Sequence, residues 1–517
     1  MKNHIFSVCF CLLSNYAITQ TGSSPSVGLF PTDGAKNINP DTHLVLTFPD
    51  NPILGNHGQI RVYDAADNRL VDVLDLSIPA GPTKPVDHKG ATPPYTKESY
   101  KYVSDNFNNA NTKPGTPSGL AFANSDTFQL NIIGRFTDAF HFYPVIIHDN
   151  IATIYLHNNM LEYDKSYYVQ VDSGVLTLKN GSFTGITGMK WKFTTKKSAP
   201  AMNTQRITVS SDGSADFNTV QGAIDFIPDF NSNRTTIFIK KGNYEEIVYF
   251  KNKTNVTFLG EDRNKVTVFY ANSEVFNPHP SNVSTNELAG TFPLRRAAFM
   301  GDNSSGIHLI NFTIKTTEKG QAEGLLLMGK ENIVSNMNIV GSGDAIQING
   351  STYVDNCTIE GDGDTYLGRG SVFFNQCQIN SKGAFMWMRN TSANHGAVLL
   401  NCKLINTGNA QTEIARAPVN HGKGYPNVEV VLINCALSGV SPIGWGPIGD
   451  DVANVHYWEY NSTNLNDGKL VDMSQRHPAS KQLLIDKDAE LITNYSRPSF
   501  IFDGWTPEIL TKPTLSR

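Results

Sequence analysis

The stretch 336–369, NMNIVGSGDAIQINGSTYVDNCTIEGDGDTYLGR, states one pattern twice at an interval of twenty residues. Asn336-Met337-Asn338-Ile339 is followed by Gly343-Asp344, and Asn356-Cys357-Thr358-Ile359 by Gly363-Asp364. Each asparagine precedes its aspartate by eight residues. The phrase extends both ways, with Asn311-Phe312-Thr313-Ile314 before it and Gln376-Cys377-Gln378-Ile379, Asn401-Cys402-Lys403-Leu404 and Asn434-Cys435-Ala436-Leu437 after it. Successive first residues are 25, 20, 20, 25 and 33 apart. Alternation marks strands, and self-similarity at 20–50 residues marks a repeat architecture. No helical segment separates the strands, so a parallel β-helix fits better than a leucine-rich repeat. One coil cannot bury its inner face alone; stacked neighbours can.

Stacked strands lie roughly 4.8 Å apart. Asp344 and Asp364 are therefore expected at the same place on adjacent coils, close enough to share chemistry. Two carboxyls that close do not both ionise comfortably, so one is expected to keep its proton. That supplies an acid/base and a nucleophile from identical side chains. A single Gly-Asp pair reads as turn chemistry; two in register read as a functional pair.

Charged residues make up 17% of the 517 and hydrophobic ones 39%, which describes a globular chain of two or more domains. The formal net charge of −5 comes with no basic stripe, so nucleic acid is not an expected partner. Met1-Lys2-Asn3-His4 and the apolar run that follows read as an export signal over residues 1–20, too short to span a membrane. No later segment has 18 apolar residues in a row, and a soluble, exported monomer is expected. Cys9 and Cys11 belong to the signal, while Cys357, Cys377, Cys402 and Cys435 occupy one interior position of the repeat. They read as buried thiols, with a disulfide between neighbouring coils left open. No His/Cys spacing suggests a metal site. Asn-x-Ser/Thr sequons fall inside the repeat, as at Asn311 and Asn356, which points to structural asparagines and a non-glycosylating bacterial source.

Residues 24–197 read as a separate β-sandwich domain, with strands at 43–48, 59–64, 70–76, 152–156, 167–172 and 190–195. Residues 79–117 read as a long loop. After a linker at 196–203, Phe217, Val220, Ile224 and Ile227 lie at helical spacing between Asp216 as a candidate N-cap and Pro228 as the stop. Such a helix would close the open end of a solenoid. The coils are expected to run to about Leu437, within a domain spanning 205–517.

Two resemblances follow. Pro31-Thr32-Asp33-Gly34-Ala35-Lys36-Asn37-Ile38-Asn39-Pro40 is similar to the opening phrase of bacterial Ig-like modules. Roughly residues 205–500 resemble the pectin methylesterases, carbohydrate esterases built on a right-handed parallel β-helix. The family's G-x-Y-x-E phrase stands as Gly242-Asn243-Tyr244-Glu245-Glu246, and its Q-A-x-A-L phrase as Gln321-Ala322-Glu323-Gly324-Leu325. Its Q-D-T phrase stands as Gly343-Asp344-Ala345, and G-x-V-D-F-I-F-G as Gly361-Asp362-Gly363-Asp364-Thr365-Tyr366-Leu367-Gly368. L-G-R-P-W is matched loosely by Ile414-Ala415-Arg416-Ala417-Pro418, and the later G-W and Y-x-E-Y-N phrases by Gly444-Trp445 and 457–461. The resemblance implies an all-β protein that hydrolyses methyl esters of pectin, the methyl-esterified polygalacturonate polysaccharide, through an aspartyl acyl-enzyme and without a cofactor. It implies Asp364 as nucleophile, Asp344 as general acid and then base, Arg416 as the partner of the nucleophile, and Gln321 as an oxyanion donor.

Gly343 stands where the family often has a second Gln, Pro418 where it often has Trp, and Ala345 in place of Thr. Phe385, Trp387 and Arg389, one coil beyond Asp364, are candidates to compensate in substrate binding, with Arg369, Trp445 and Tyr366. Tyr244 and Glu246 read as structural. The rival readings are an inactive polysaccharide-binding β-helix, an esterase for another ester, a glycosidase with paired carboxylates, and a lyase.

Overall fold

The computed structural model describes residues 27–84, 128–134, 140–180, 182–278, 295–419, 422 and 424–509. The expected signal and most of the expected 79–117 loop lie outside these residues. Three ladders of parallel strands wrap one apolar interior from Ile207 to Tyr457. The ladder that matters most below runs through Val248–Lys251, Phe299–Asp302, Leu325–Ser335, Ile346–Asp355, Tyr366–Gly368, Met386–Met388 and Ala415–Arg416. The two long strands bend from this face onto a second one, which continues through Ser371–Asn375, Ala397–Leu400 and Glu429–Ile433. Gly350 sits at the bend with φ +125°, and a Cβ there would stand 1.8 Å from the Gly329 carbonyl oxygen. The third face is the nine-stranded ladder from Gly242–Glu245 to Thr463–Asn464. This is the parallel β-helix that the repeat predicts.

The repeated phrase is the corner between the second and third faces. Its first residue takes left-handed backbone in every coil: Asn311, Asn336, Asn356, Gln376, Asn401 and Asn434 have φ between 50° and 65°. Asn tolerates that region better than other L-residues because its short amide bonds locally. The amides also bond coil to coil, with Asn336 Nδ2 donating to Asn311 Oδ1 at 2.7 Å and Asn356 Nδ2 to Asn336 Oδ1 at 3.2 Å. The second residue points inward, and all four cysteines there are buried free thiols. The fourth residue, such as Ile339 or Ile359, is also interior, and each buried aliphatic side chain contributes about 1.5–3 kcal/mol.

The coils run further than expected. His456–Tyr460 pairs in parallel with Glu429–Ile433, and Ser480–Gln482 pairs with His456–Tyr460. The corner survives as Asn461, also left-handed, but Ser462 replaces the cysteine, so the repeat signature fades before the stacking does. The closing helix is Val220–Phe226, entirely buried. Its N-cap is Thr219, whose side chain accepts from Gly222 N; Asp216 instead binds the Thr208 N–H and hydroxyl. Glu246 accepts from Val220 N and Gln221 N at 2.8 and 2.9 Å, satisfying two donors of the first turn.

Between residues 27 and 195, a four-stranded antiparallel sheet and a five-stranded sheet enclose a second core. From this region Ile133 and Phe140 pack with Tyr249, Met300, Leu326 and Met328 of the β-helix. They cover the outer side of the first ladder over its early coils. Helices Ile485–Tyr495 and Pro498–Ile501 supply Tyr495 and Ile501 to a cluster over the second face.

The corner geometry sets a stability order. Asn356→Ala should lose roughly 1–2 kcal/mol, from left-handed strain and the lost amide bond. Asn356→Gly should lose less, because glycine pays no Cβ penalty there. Urea unfolding of the two variants against the parent checks the order.

Candidate active site

Register places the two aspartates. Ile346 pairs with Tyr366, so Asp344 and Asp364, each two residues earlier, occupy equivalent positions on adjacent coils. Backbone bonds from Ala345 N and Ile346 N to the Thr365 carbonyl, at 2.9 and 3.0 Å, fasten one coil to the other. The same position one coil earlier is Glu323, because Leu325 pairs with Ile346. One and two coils later it is Ala384 and Glu413. A file of acidic groups thus runs along one edge of the ladder.

The environments of the two aspartates differ. Asp364 is partly exposed and holds φ 47°, a left-handed conformation that a non-glycine residue rarely takes. Arg416 grips it by two parallel bonds, from Nε to Oδ1 at 2.7 Å and from Nη2 to Oδ2. This fork fixes the plane of the carboxylate. Asp344 is only 6% exposed. It takes one bond from Arg296 Nη2, 2.7 Å to Oδ2. Burial, with Glu323 and Asp364 adding to it against the pull of Arg296 and Arg389, pushes its pKa up to about 7.

Arg296 and Glu323 carry this arrangement, and neither is assigned a role by the sequence reading. Arg296 Nε bonds both oxygens of fully buried Glu323 at 2.9 and 2.8 Å, and Nη2 bonds Glu323 Oε1 at 2.7 Å. Nη1 reaches Gln321 Oε1 at 3.2 Å and Glu274 Oε2 at 3.5 Å. Burial alone would pull the guanidinium pKa down, but Glu323, Asp344 and Glu274 push it well above its usual value. A sequence signal existed: Arg295-Arg296 and Glu323 are charges set directly before apolar strand residues, where a solvated face is not expected.

The outer side of the ladder carries Gln347, Leu367, Trp387 and Arg416 in register. Trp387 is half-buried between two guanidinium groups, with Arg389 3.7 Å and Arg416 4.8 Å from its ring centre. Arg369 and Arg389 follow their strands on the same side and are half-buried. Gln347 is fully buried, and neither side-chain atom has a hydrogen-bond partner among the described residues.

Three candidate binding residues point elsewhere. Phe385 and Tyr366 are buried in the β-helix interior, since their places along the strands turn them inward. Trp445 is also interior, stacked on Tyr457 at 4.5 Å with its indole N–H on Glu459 Oε1 at 3.1 Å. None of the three reaches the outer side of the ladder. Gly343 has a plain cause: its φ is +71°, and a Cβ would stand 2.7 Å from the Gly320 carbonyl oxygen, so a glutamine does not fit this backbone. Among the described residues no cluster of three or more His, Cys, Asp or Glu could hold a metal ion.

Comparison with known proteins gives the following. The family model "Pectinesterase" matches residues 206–504. Pectinesterase QRT1 of Arabidopsis thaliana is 29% identical over 309 residues, covering 56% of this chain and 76% of its own. Probable pectinesterase/pectinesterase inhibitor 61 of the same plant is 30% identical over 148 residues, which are 28% of this chain and 23% of that protein. The chain therefore spans about a quarter of the one relative and three quarters of the other. The solved pectin methylesterase from carrot aligns over 59% of this chain and 95% of its own, at 20% identity and a TM-score of 0.48.

The raised pKa of Asp344 has a stability consequence. Between pH 4 and 7 the folded protein binds a proton that the unfolded chain has released, so stability falls as pH rises through this window. Asp344→Asn removes that dependence. Relative to the parent it should gain on the order of 3–4 kcal/mol between pH 4 and pH 8, read from denaturant unfolding at both values.

Proposed function

The chain belongs to the pectinesterase family, and from that premise we propose that it hydrolyses methyl esters of pectin, releasing methanol and leaving free galacturonate. The observation that carries the reading is the pair of register-matched aspartates in opposite environments, one forked to an arginine at the surface and one buried with a raised pKa.

In the proposed mechanism an Asp364 carboxylate oxygen attacks the ester carbonyl carbon. Arg416 holds that carboxylate in plane, and the left-handed backbone of Asp364 presents it to the groove. Negative charge develops on the carbonyl oxygen. The Gln321 amide donates to it, a contribution of roughly 3 kcal/mol for one well-placed donor. Protonated Asp344 gives its proton to the leaving methoxide, methanol departs, and an anhydride joins Asp364 to the sugar acid. Asp344, now ionised, takes a proton from water as the hydroxide oxygen attacks the anhydride's sugar-acid carbonyl. Collapse frees the galacturonate and restores both aspartates to their starting forms. A pKa near 7 suits a group that must give and then take a proton at neutral pH.

The substrate in this reading lies along the outer side of the ladder. Trp387 offers a ring for a sugar face, and Arg389 and Arg369 offer charge to neighbouring carboxylates. The two-sheet region, whose Phe140 and Ile133 cover the early coils, would close one end of this groove. We read it as an Ig-like accessory module and the protein as exported. No described helix is long and apolar enough to cross a membrane.

Methanol release from highly methylated pectin tests the reading. The intact protein should release it, and Asp364→Asn should lose the activity by about a thousandfold or more with its fold intact. Chain length should stay constant and no unsaturated product should absorb in the ultraviolet. Failure of the intact protein on several pectins would favour a non-catalytic binding role or another ester.

A further inference from the structure

We propose that Arg296 and Glu323 form a clamp that positions Asp344 and orients the Gln321 amide, given the ester-hydrolase reading of this site. The geometry of one guanidinium carries it. Arg296 reaches Glu323 with Nε and Nη2, Asp344 with Nη2, and Gln321 with Nη1. One guanidinium is therefore in contact with both the acid/base and the oxyanion donor.

A guanidinium has donors and no acceptor. It must face the oxygen of the Gln321 amide, as the 3.2 Å contact to Oε1 has it. The amide N–H₂ then points away from Arg296 and is left to donate. Without the guanidinium, nothing in this contact set distinguishes the two ends of the amide, and half of its orientations would present an oxygen to the oxyanion.

Glu323 solves the second problem. A bare guanidinium 2.7 Å from Asp344 would hold that carboxyl ionised, unable to protonate methoxide. Glu323, fully buried, sets both oxygens against the same guanidinium and largely neutralises it. Asp344 gains a fixed donor without an unshared cation. The other charges facing Asp344 are Asp364 from the next coil, Arg389 from the outer side and Arg416 across Asp364; Glu274 contacts Arg296 from the far side. Arg296 and Glu323 are positioning residues, acting through Asp344 and Gln321.

The clamp predicts shifts of opposite sign. Two readouts are taken on the full chain: the pH profile of kcat for methanol release, and a ¹³C carboxyl titration of Asp344 assigned by difference against Asp344→Asn. Glu323→Gln removes an anion, so the Asp344 titration and the alkaline limb should move down by about one pH unit. Arg296→Met removes the cation and should move both up by a similar amount. Both should lower kcat more than they change KM. Arg296→Lys should restore the position of the limb but not the rate, because one ammonium cannot serve Glu323, Asp344 and Gln321 together. Shifts of the same sign, or no shift in folded variants, would overturn the clamp. If Arg296→Met does not fold, near-isosteric Glu323→Gln decides alone: a downward shift supports the clamp, and an upward one or none refutes it. If the parent releases no methanol, the ester-hydrolase reading fails, while the carboxyl titration still decides whether the pair tunes Asp344.

Discussion

The placement of Asp344 and Asp364 depends on the register between adjacent coils. A parallel strand paired one residue out of step would turn Asp344 and Asp364 to opposite sides of their strands. The register is secured from several directions. Backbone bonds join the strands directly before and after the aspartates. The left-handed asparagine corners bond to each other along the solenoid. Interior residues such as Ile339, Cys357 and Ile359 allow only one inward set. An acid pair assembled this way needs no mobile loop to form.

Stacking also explains how two identical side chains acquire different properties. A file of equivalent positions holds Glu323, Asp344, Asp364, Ala384 and Glu413. Arginines stand at two places along it. Arg416 takes Asp364 in a two-bond fork, and Arg296 is divided among Glu323, Glu274 and Asp344. Three carboxyls around one buried guanidinium leave negative charge in excess, and burial penalises it. Burial first, and then Glu323 and Asp364, push the Asp344 pKa up to about 7 against the pull of Arg296. Ala384, a small uncharged gap, separates Asp364 from Glu413 in the file and spares it a second acidic neighbour.

Much of this was legible in the chain. The Asn-x-x-Ile phrase revealed the solenoid, because a corner that needs left-handed backbone and an inward apolar side chain, Phe312, Met337 or a cysteine, recur from coil to coil. The eight-residue offset to Asp344 and Asp364 revealed the pair. Of the substrate-binding candidates, Trp387, Arg389 and Arg369 lie on the outer side of the ladder. Phe385, Tyr366 and Trp445 do not: aromatic character alone does not say which way a side chain faces, and all three turn into the core. The coils past Leu437 escaped because Ser462 breaks the cysteine pattern while backbone pairing continues.

The sequence by itself determined the repeat, the direction of stacking and the identity of the paired carboxylates, since each is a consequence of local spacing that any parallel coil must obey. Only the tertiary structure decided the partners. Arg296 lies 27 residues from Glu323 and 48 from Asp344, and Arg416 lies 52 from Asp364. Coil lengths differ, so no fixed interval announces these contacts. Long flexible side chains meet through space, and which arginine serves which carboxylate depends on burial and reach, quantities that exist only once the coils are stacked.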